Sequence, residues 1–169
     1  MPIQLSEKEK LLLMDQKTHE EICVDKYAKY ANQAQDPQLK QLFNSYSGKE
    51  QVHLDTINQL LSGQMPNMGG QQNQGQQGQN QQGQQAQPQQ MPNPQQMAGG
   101  NQAYNQVDAK LCTDMLMTEK YVSGAYDTAI FEFRDPNIRQ ILNHIQKEEQ
   151  EHGEGIFQYM QGHGMYQVH

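Results

Sequence analysis

The sequence predicts an all-α protein, an antiparallel four-helix bundle made of two repeated helical hairpins with a long disordered crossover between them. Three observations lead there. The chain matches itself without a gap at an offset of 99 residues. Each copy carries an Asp-Pro pair near its middle, Asp36-Pro37 and Asp135-Pro136. Apolar residues on both sides of each pair recur at steps of three and four, which is the helical period.

The offset aligns Leu12 with Leu111, Asp15 with Asp114, Glu20 with Glu119, Tyr27 with Tyr126 and Gln41 with Gln140. It continues through Glu50-Gln51 with Glu149-Gln150, His53 with His152, Ile57 with Ile156 and Gly63 with Gly162. Repetition at a fixed offset implies repeated structure. A first hairpin is expected over 5–63, a crossover over 64–103, a second hairpin over 104–162 and a tail over 163–169.

Helix by helix, the first is expected from about 6 to 35, where Glu20 is followed by Val24, Tyr27 and Ala31 on one face. Asp36 then caps a second helix, from about 37 to 62, because its carboxylate accepts an orphan backbone N–H. Pro37 is tolerated at the first helical position, where an N–H would find no partner. Leu39, Leu42, Phe43, Tyr46, Ile57 and Leu60 form the apolar stripe of that helix, and Gly63 supplies its stop. Residues 64–103 are nearly all Gln, Gly, Asn, Pro and Met. Such a segment lacks the apolar side chains that offset the entropy of ordering, so it reads as disordered.

The third helix is expected from about 105 to 134, with Glu119, Val122, Tyr126, Ile130 and Phe133 along one face. The fourth is expected from about 136 to 161, with Ile138, Ile141, Leu142, Ile145, Ile156 and Tyr159 on its stripe and Gly162 ending it.

Glu-x-x-His occurs twice, at Glu50/His53 and Glu149/His152, and each copy has a glutamate thirty residues upstream, Glu20 and Glu119. All six fall on the apolar faces. Residues i and i+3 share a helix face, so each Glu-x-x-His pair can reach one cluster of ions. With a turn near residue 36, Glu20 and Glu50 arrive at the same height of an antiparallel hairpin.

Four carboxylates buried at one level repel one another and lose hydration, at a cost of several kcal/mol each unless paired or neutralised. Two divalent cations remove that problem, and this mix of oxygen and nitrogen donors suits iron or manganese and also zinc. The expected metal ligands are Glu20, Glu50, His53, Glu119, Glu149 and His152. One Glu-x-x-His on an exposed helix means little; two, on apolar faces inside a repeat, mean much more. The alternative is a polar core network in which water or protons take the place of metal.

Around the ligands, Glu148 is placed to accept from the outer nitrogen of His53, or else is a solvated surface charge. Its equivalent in the first half is Lys49, so that arrangement cannot be two-fold. Tyr27 and Tyr126 read as core packing with satisfied hydroxyls, with cavity lining or a redox radical as the alternative. His163 and His169 are assigned no role. Cys23 and Cys112, outside any Cys-x-x-Cys pair, read as small buried thiols.

Composition narrows the function. The net charge is -7 and the pI about 5.3. Lys and Arg form no run, which argues against phosphate-backbone binding to nucleic acid. No run of about 18 apolar residues marks a membrane span. The start, Met1 to Lys8, lacks a basic segment followed by an apolar one, so no secretory signal is expected and synthesis in the cytoplasm is the default.

The constellation Glu20, Glu50-x-x-His53, Glu119, Glu149-x-x-His152 resembles the ferritin-like superfamily of carboxylate-bridged di-metal bundles. That resemblance implies bridging by the glutamates of the two Glu-x-x-His motifs, terminal ligation by Glu20 and Glu119, and one histidine to each metal. In that fold the link between the second and third helices runs the length of the bundle. A helix of about 27 residues is about 40 Å long, and residues 64–103 can span it.

More narrowly, the pattern Leu-x-Glu-Lys-Glu-Lys-Leu-Leu-Leu-Met-Asp over residues 5–15, and Lys120-Tyr121-Val122-Ser123-Gly124-Ala125-Tyr126 with Asp135-Pro136 downstream, is similar to the spore coat protein F-like family of endospore-forming Firmicutes. The resemblance implies a coat component made in the mother-cell cytoplasm and assembled on the spore with other coat proteins, and self-association is compatible with it. The Gln-rich segment would mediate contacts and offer glutamines to transglutaminase cross-linking, or would be an inert linker. The alternative function is a di-iron or di-manganese redox enzyme of the peroxidase or catalase kind, or a metal store.

Overall fold

The structure is a computed structural model and describes residues 3–66 and 104–166. The described residues form four α-helices and no strand: α1 (Glu7–Gln33), α2 (Pro37–Leu61), α3 (Gln106–Glu132) and α4 (Pro136–Gly162). The expected disorder of the Gln-rich segment concerns 67–103, which lie outside the described residues, as does His169.

Local chemistry sets each helix start. Ser6 and Glu9 close a reciprocal capping box at α1. Asp36 and Asp135 accept from Gln38 N–H and Asn137 N–H at 2.8 Å each, with proline next in both turns. Asn105 accepts from the N–H groups of Val107 and Asp108 at α3. At the end of α2, Gly63 takes φ +81°, and Gln64 N–H reaches back to the Gln59 carbonyl at 2.9 Å. This is the left-handed stop expected there.

The second hairpin departs from the expectation. Gly162 is the last helical residue rather than the stop, and Gly164 takes φ +69° with Met165 N–H bonded to the Met160 carbonyl at 2.8 Å. The extra residues have partners that the first hairpin lacks. His163 stacks on Tyr159 with ring centres 4.1 Å apart, and its Nε2 lies 3.3 Å from Asp36 Oδ2. His163, assigned no role from sequence, is therefore the C-cap of α4 and ties it to the α1–α2 turn.

Two buried acids join the hairpins, and they too stand 99 residues apart. Glu9 accepts from the backbone N–H of Arg134 (2.9 Å) and from its guanidinium, at the α3–α4 turn. Asp108 accepts from Gln35 N–H (2.8 Å) and Asp36 N–H (3.0 Å), at the α1–α2 turn. Arg134 and its neighbours hold the Glu9 carboxyl down at about 2 against the cost of its burial. The start of α1 thus meets the end of α3 and the reverse, so these helices run antiparallel. Ile3 N–H bonds the Gly63 carbonyl, which puts the end of α2 beside the start of α1. The chain therefore leaves α2 at one end of the bundle and enters α3 at the other, as the crossover topology requires.

Leu13, Tyr27, Phe43, Met115, Tyr126, Leu142, Ile145 and Ile156 fill the interior, with almost no solvent exposure. No described helix is long and apolar enough to cross a membrane.

Candidate metal centre

Halfway along the bundle the apolar stripes are interrupted by Glu20, Glu50, His53, Glu119, Glu149 and His152. Each sits where helical periodicity aims a side chain inward, and each is at most 3 % exposed. Together they make two sets of four. Glu20, Glu50, His53 and Glu149 each offer one ligand atom, all within 4.8 Å of one another, and Glu50, Glu119, Glu149 and His152 do the same. Glu50 and Glu149 belong to both sets.

The imidazoles turn the same nitrogen inward. His53 Nδ1 lies 3.0 Å from Glu149 Oε1 and 3.3 Å from Glu50 Oε2. His152 Nδ1 lies 2.8 Å from Glu50 Oε1 and 3.8 Å from Glu119 Oε1. The rings stack with centres 5.8 Å apart. The tyrosines cross over: Tyr27 Oη donates to Glu119 Oε1, and Tyr126 Oη donates to Glu20 Oε1. Each phenol orients the glutamate of the other hairpin, because the residue two turns away on its own helix is about 10 Å along the axis.

Outside these six residues the symmetry ends. His53 Nε2 lies 2.9 Å from Glu148 Oε2, and Lys49 and His144 lie 3.4 Å from the same carboxylate. His152 has instead the ring of Tyr46 against it, centres 4.3 Å apart. A Cβ on Gly155 would run into the Tyr46 hydroxyl, so this glycine is a packing requirement of that ring. Cys23 and Cys112 are free and fully buried. Cys23 stands where the second half has Val122, and burial together with the glutamates around it pushes its thiol far above the ordinary range.

Protonation follows from this geometry. Burial raises the carboxyls of Glu20, Glu50, Glu119 and Glu149, Glu20 to about 7. Burial alone would depress His53, but the surrounding carboxylates of Glu148, Glu149, Glu20 and Glu50 outweigh it and hold the imidazole well above its usual value. His152 is depressed to about 4, chiefly by burial. The bond from His53 draws Glu148 down to about 2. Protons on His53 and on the carboxyls thus do what a cation would do at this centre.

The donor set fits a divalent metal pair. Glu20 Oε2, Glu119 Oε2 and Glu149 Oε2 are buried without a hydrogen-bond partner. Buried carboxylate oxygens are costly to leave so, and a metal ion satisfies them. Four carboxylates with two imidazoles, each imidazole turning Nδ1 toward the carboxylates, match hard-to-borderline cations.

Glu148 and the six expected ligands converge where the spacing placed them, and Tyr27 and Tyr126 join them with partners exchanged. Cys23 is the buried thiol expected from sequence, whereas sequence reasoning gave Tyr46 only a place on the stripe of α2, missed its contact with His152, and passed over Gly155 and the place of Cys23 beside the glutamates. The offset was the available signal, since each differs from its equivalent (Ile145, Thr56 and Val122).

Residues 107–169 match the family described as the Coat F domain. That segment contains nearly all of α3, the whole of α4 and three of the six candidate ligands, Glu119, Glu149 and His152. No curated protein and no solved structure matches the chain.

Proposed function

On the premise that residues 107–169 belong to the Coat F domain family, we propose that this protein is a spore coat component whose bundle core binds two divalent metal ions. Glu50 and Glu149 carry the reading, because each is a member of both four-residue sets. They would bridge the ions, with Glu20 and His53 completing one position and Glu119 and His152 the other. Iron and manganese suit the donors, as does zinc.

The matched domain supplies only half of this centre. A single hairpin has three of the six ligands and one uncovered apolar face. In this chain, residues 7–61 cover that face and complete the ligand set. A metal pair would then fasten the two hairpins across their middle, as Glu9 and Asp108 fasten them at the ends. Partners would be other coat proteins or further copies of the chain. Exposed Met14 and Ile22 on α1, with Met117, Tyr121 and Phe131 on α3, offer apolar contact area for them.

Elemental analysis after reconstitution with iron, manganese or zinc tests the core of the proposal. About two ions per chain are expected; less than about 0.2 per chain with every metal would sink it. A second reading, a di-metal oxidoreductase or metal store, draws on the crossed tyrosine–glutamate pairs, which would orient and tune Glu119 and Glu20 as terminal ligands. Bound iron or manganese would supply the electron transfer to peroxide or dioxygen, and the chain's residues would hold the ions and exclude water. Peroxide consumption by the loaded protein, above that of free metal, separates this reading from a purely structural centre.

A further inference from the structure

The duplication gives every residue near the centre a counterpart, so a difference between the halves can be weighed against the same environment 99 residues away. Between α3 and α4 a cavity of about 340 Å³ is lined by Leu116, Glu119, Lys120, Ser123, Glu149, Gln150 and Gly153. The counterparts of Glu119, Glu149 and Gln150 are identical residues, Glu20, Glu50 and Gln51. The counterparts of Ser123 and Gly153 are Val24 and Leu54, both partly buried. In the second hairpin, then, two apolar side chains are missing beside a pair of ligand carboxylates.

Gly153 has no packing reason to be glycine. A Cβ there would lie 3.7 Å from Leu116 Cδ1 and 3.8 Å from Glu119 Cβ, ordinary contact distances. Its backbone is regular α-helix, where glycine weakens the helix relative to alanine. Gly155, two residues on, does have such a reason in Tyr46. What Gly153 and Ser123 provide is open space. At the floor of that space Glu119 and Glu149, at most 2 % exposed, each carry an oxygen that has no partner, Glu119 Oε2 and Glu149 Oε2.

We propose that the α3–α4 cavity is the entry port of the centre, through which hydrated divalent cations reach Glu119 and Glu149 before the two positions fill. This rests on the metal reading above and adds a route to it. Ser123 and Gln150 give polar atoms that can replace water around an entering ion. Lys120 at the rim opposes a cation; its counterpart is Glu21.

Cobalt(II) uptake by the metal-free full chain, followed by its visible absorbance in a stopped-flow instrument, tests the port. Gly153→Leu and Ser123→Val restore the side chains of the first hairpin. Each is expected to slow uptake about tenfold, the effect of a modest added barrier, with two ions still bound at the end. Lys120→Glu is expected to speed uptake severalfold at low ionic strength, an effect that salt removes. If Gly153→Leu fails to fold, Ser123→Val and Gly153→Ala decide, since a Cβ fits at 153. Wild-type rates in the folded variants would overturn the port and leave the metal centre standing. Failure of the wild-type chain to take up cobalt would overturn both.

Discussion

His53 and His152 stand at equivalent points of α2 and α4, each with Nδ1 turned to shared carboxylates, and their remaining surroundings differ in chemistry. His53 rests on the Glu148 carboxylate at 2.9 Å. His152 lies against the Tyr46 ring. One imidazole is held well above its ordinary pKa and the other is depressed to about 4. Duplication has kept the atoms that face the centre and let those one layer out diverge. The two four-residue sets are therefore alike in donors and unlike in electrostatics, and each half of the chain serves as an internal control for the other.

The largest effect should come from breaking what the halves share. Glu50→Gln or Glu149→Gln removes an anionic donor common to both positions, and either is expected to abolish binding of both ions. Glu20→Gln or Glu119→Gln touches one position and should leave about one ion per chain, by the ligand-count reasoning that governs such sites. Elemental analysis of the four variants checks this. Equal losses in all four would mean that Glu50 and Glu149 do not bridge.

Next in size is the opposite pH behaviour of the two histidines in the metal-free protein. The folded chain disfavours charged His152, so that contribution is complete above its unfolded value of 6.5 and is lost as pH falls through about 4. It amounts to on the order of 3 kcal/mol. His53 is raised, so its contribution is complete below 6.5 and is lost as pH climbs through its folded value. Thermal melts across pH should show His152→Gln flattening the acid limb and His53→Gln flattening the alkaline one. Nitrogen chemical shifts of the two rings at pH 7 should report a charged His53 and a neutral His152.

Glu148 isolates the electrostatic difference itself. A carboxylate behind a ligating imidazole raises its basicity, and losing such a partner costs about 10- to 100-fold in metal affinity. Glu148→Gln should therefore weaken the His53 position by that factor and spare the His152 position. Competition titration with a chelator, resolving the two binding steps, would show it. Equal weakening of both steps would remove the case for two unlike positions.

How much of this was legible in advance follows the same division. The convergence of the six Glu and His residues was readable because each stands on an inward face and the offset repeats it. The starts of α2 and α4 were readable because the Asp36 and Asp135 caps act within three residues of themselves. The exchange of tyrosine partners was not, because it depends on which helices are neighbours: Tyr27 and Glu20 share a face of α1, yet Tyr27 reaches Glu119 on α3. Glu9 and Asp108 stand at matching positions, but their partners are backbone N–H groups of the opposite turn, which no side-chain pattern encodes. The stop of α4 moved from Gly162 to Gly164 because His163 and Tyr159 bind Asp36, a contact between hairpins. What lies within one helix was visible, and what passes between hairpins was visible only where both ends repeat.

The smallest expected effect probes the side of the centre that has a ring in place of a carboxylate. Tyr46 stands where the second half has Ile145, and Gly155 stands where the first has Thr56. A Cβ at 155 would meet the Tyr46 hydroxyl first, and would still lie 3.1 Å from Tyr46 Cζ once the oxygen was gone. Gly155→Ala gains helix propensity of about 1 kcal/mol but must push the ring off His152, at a cost of about 1–3 kcal/mol for overpacking. Tyr46→Phe removes the worst of that contact. In a double-mutant cycle measured by denaturant unfolding, Gly155→Ala should therefore be less destabilising in the Tyr46→Phe background, by about 0.5–1 kcal/mol. Additive effects would mean that the glycine and the phenol are independent, and that the ring over His152 owes its place to something other than the space Gly155 leaves.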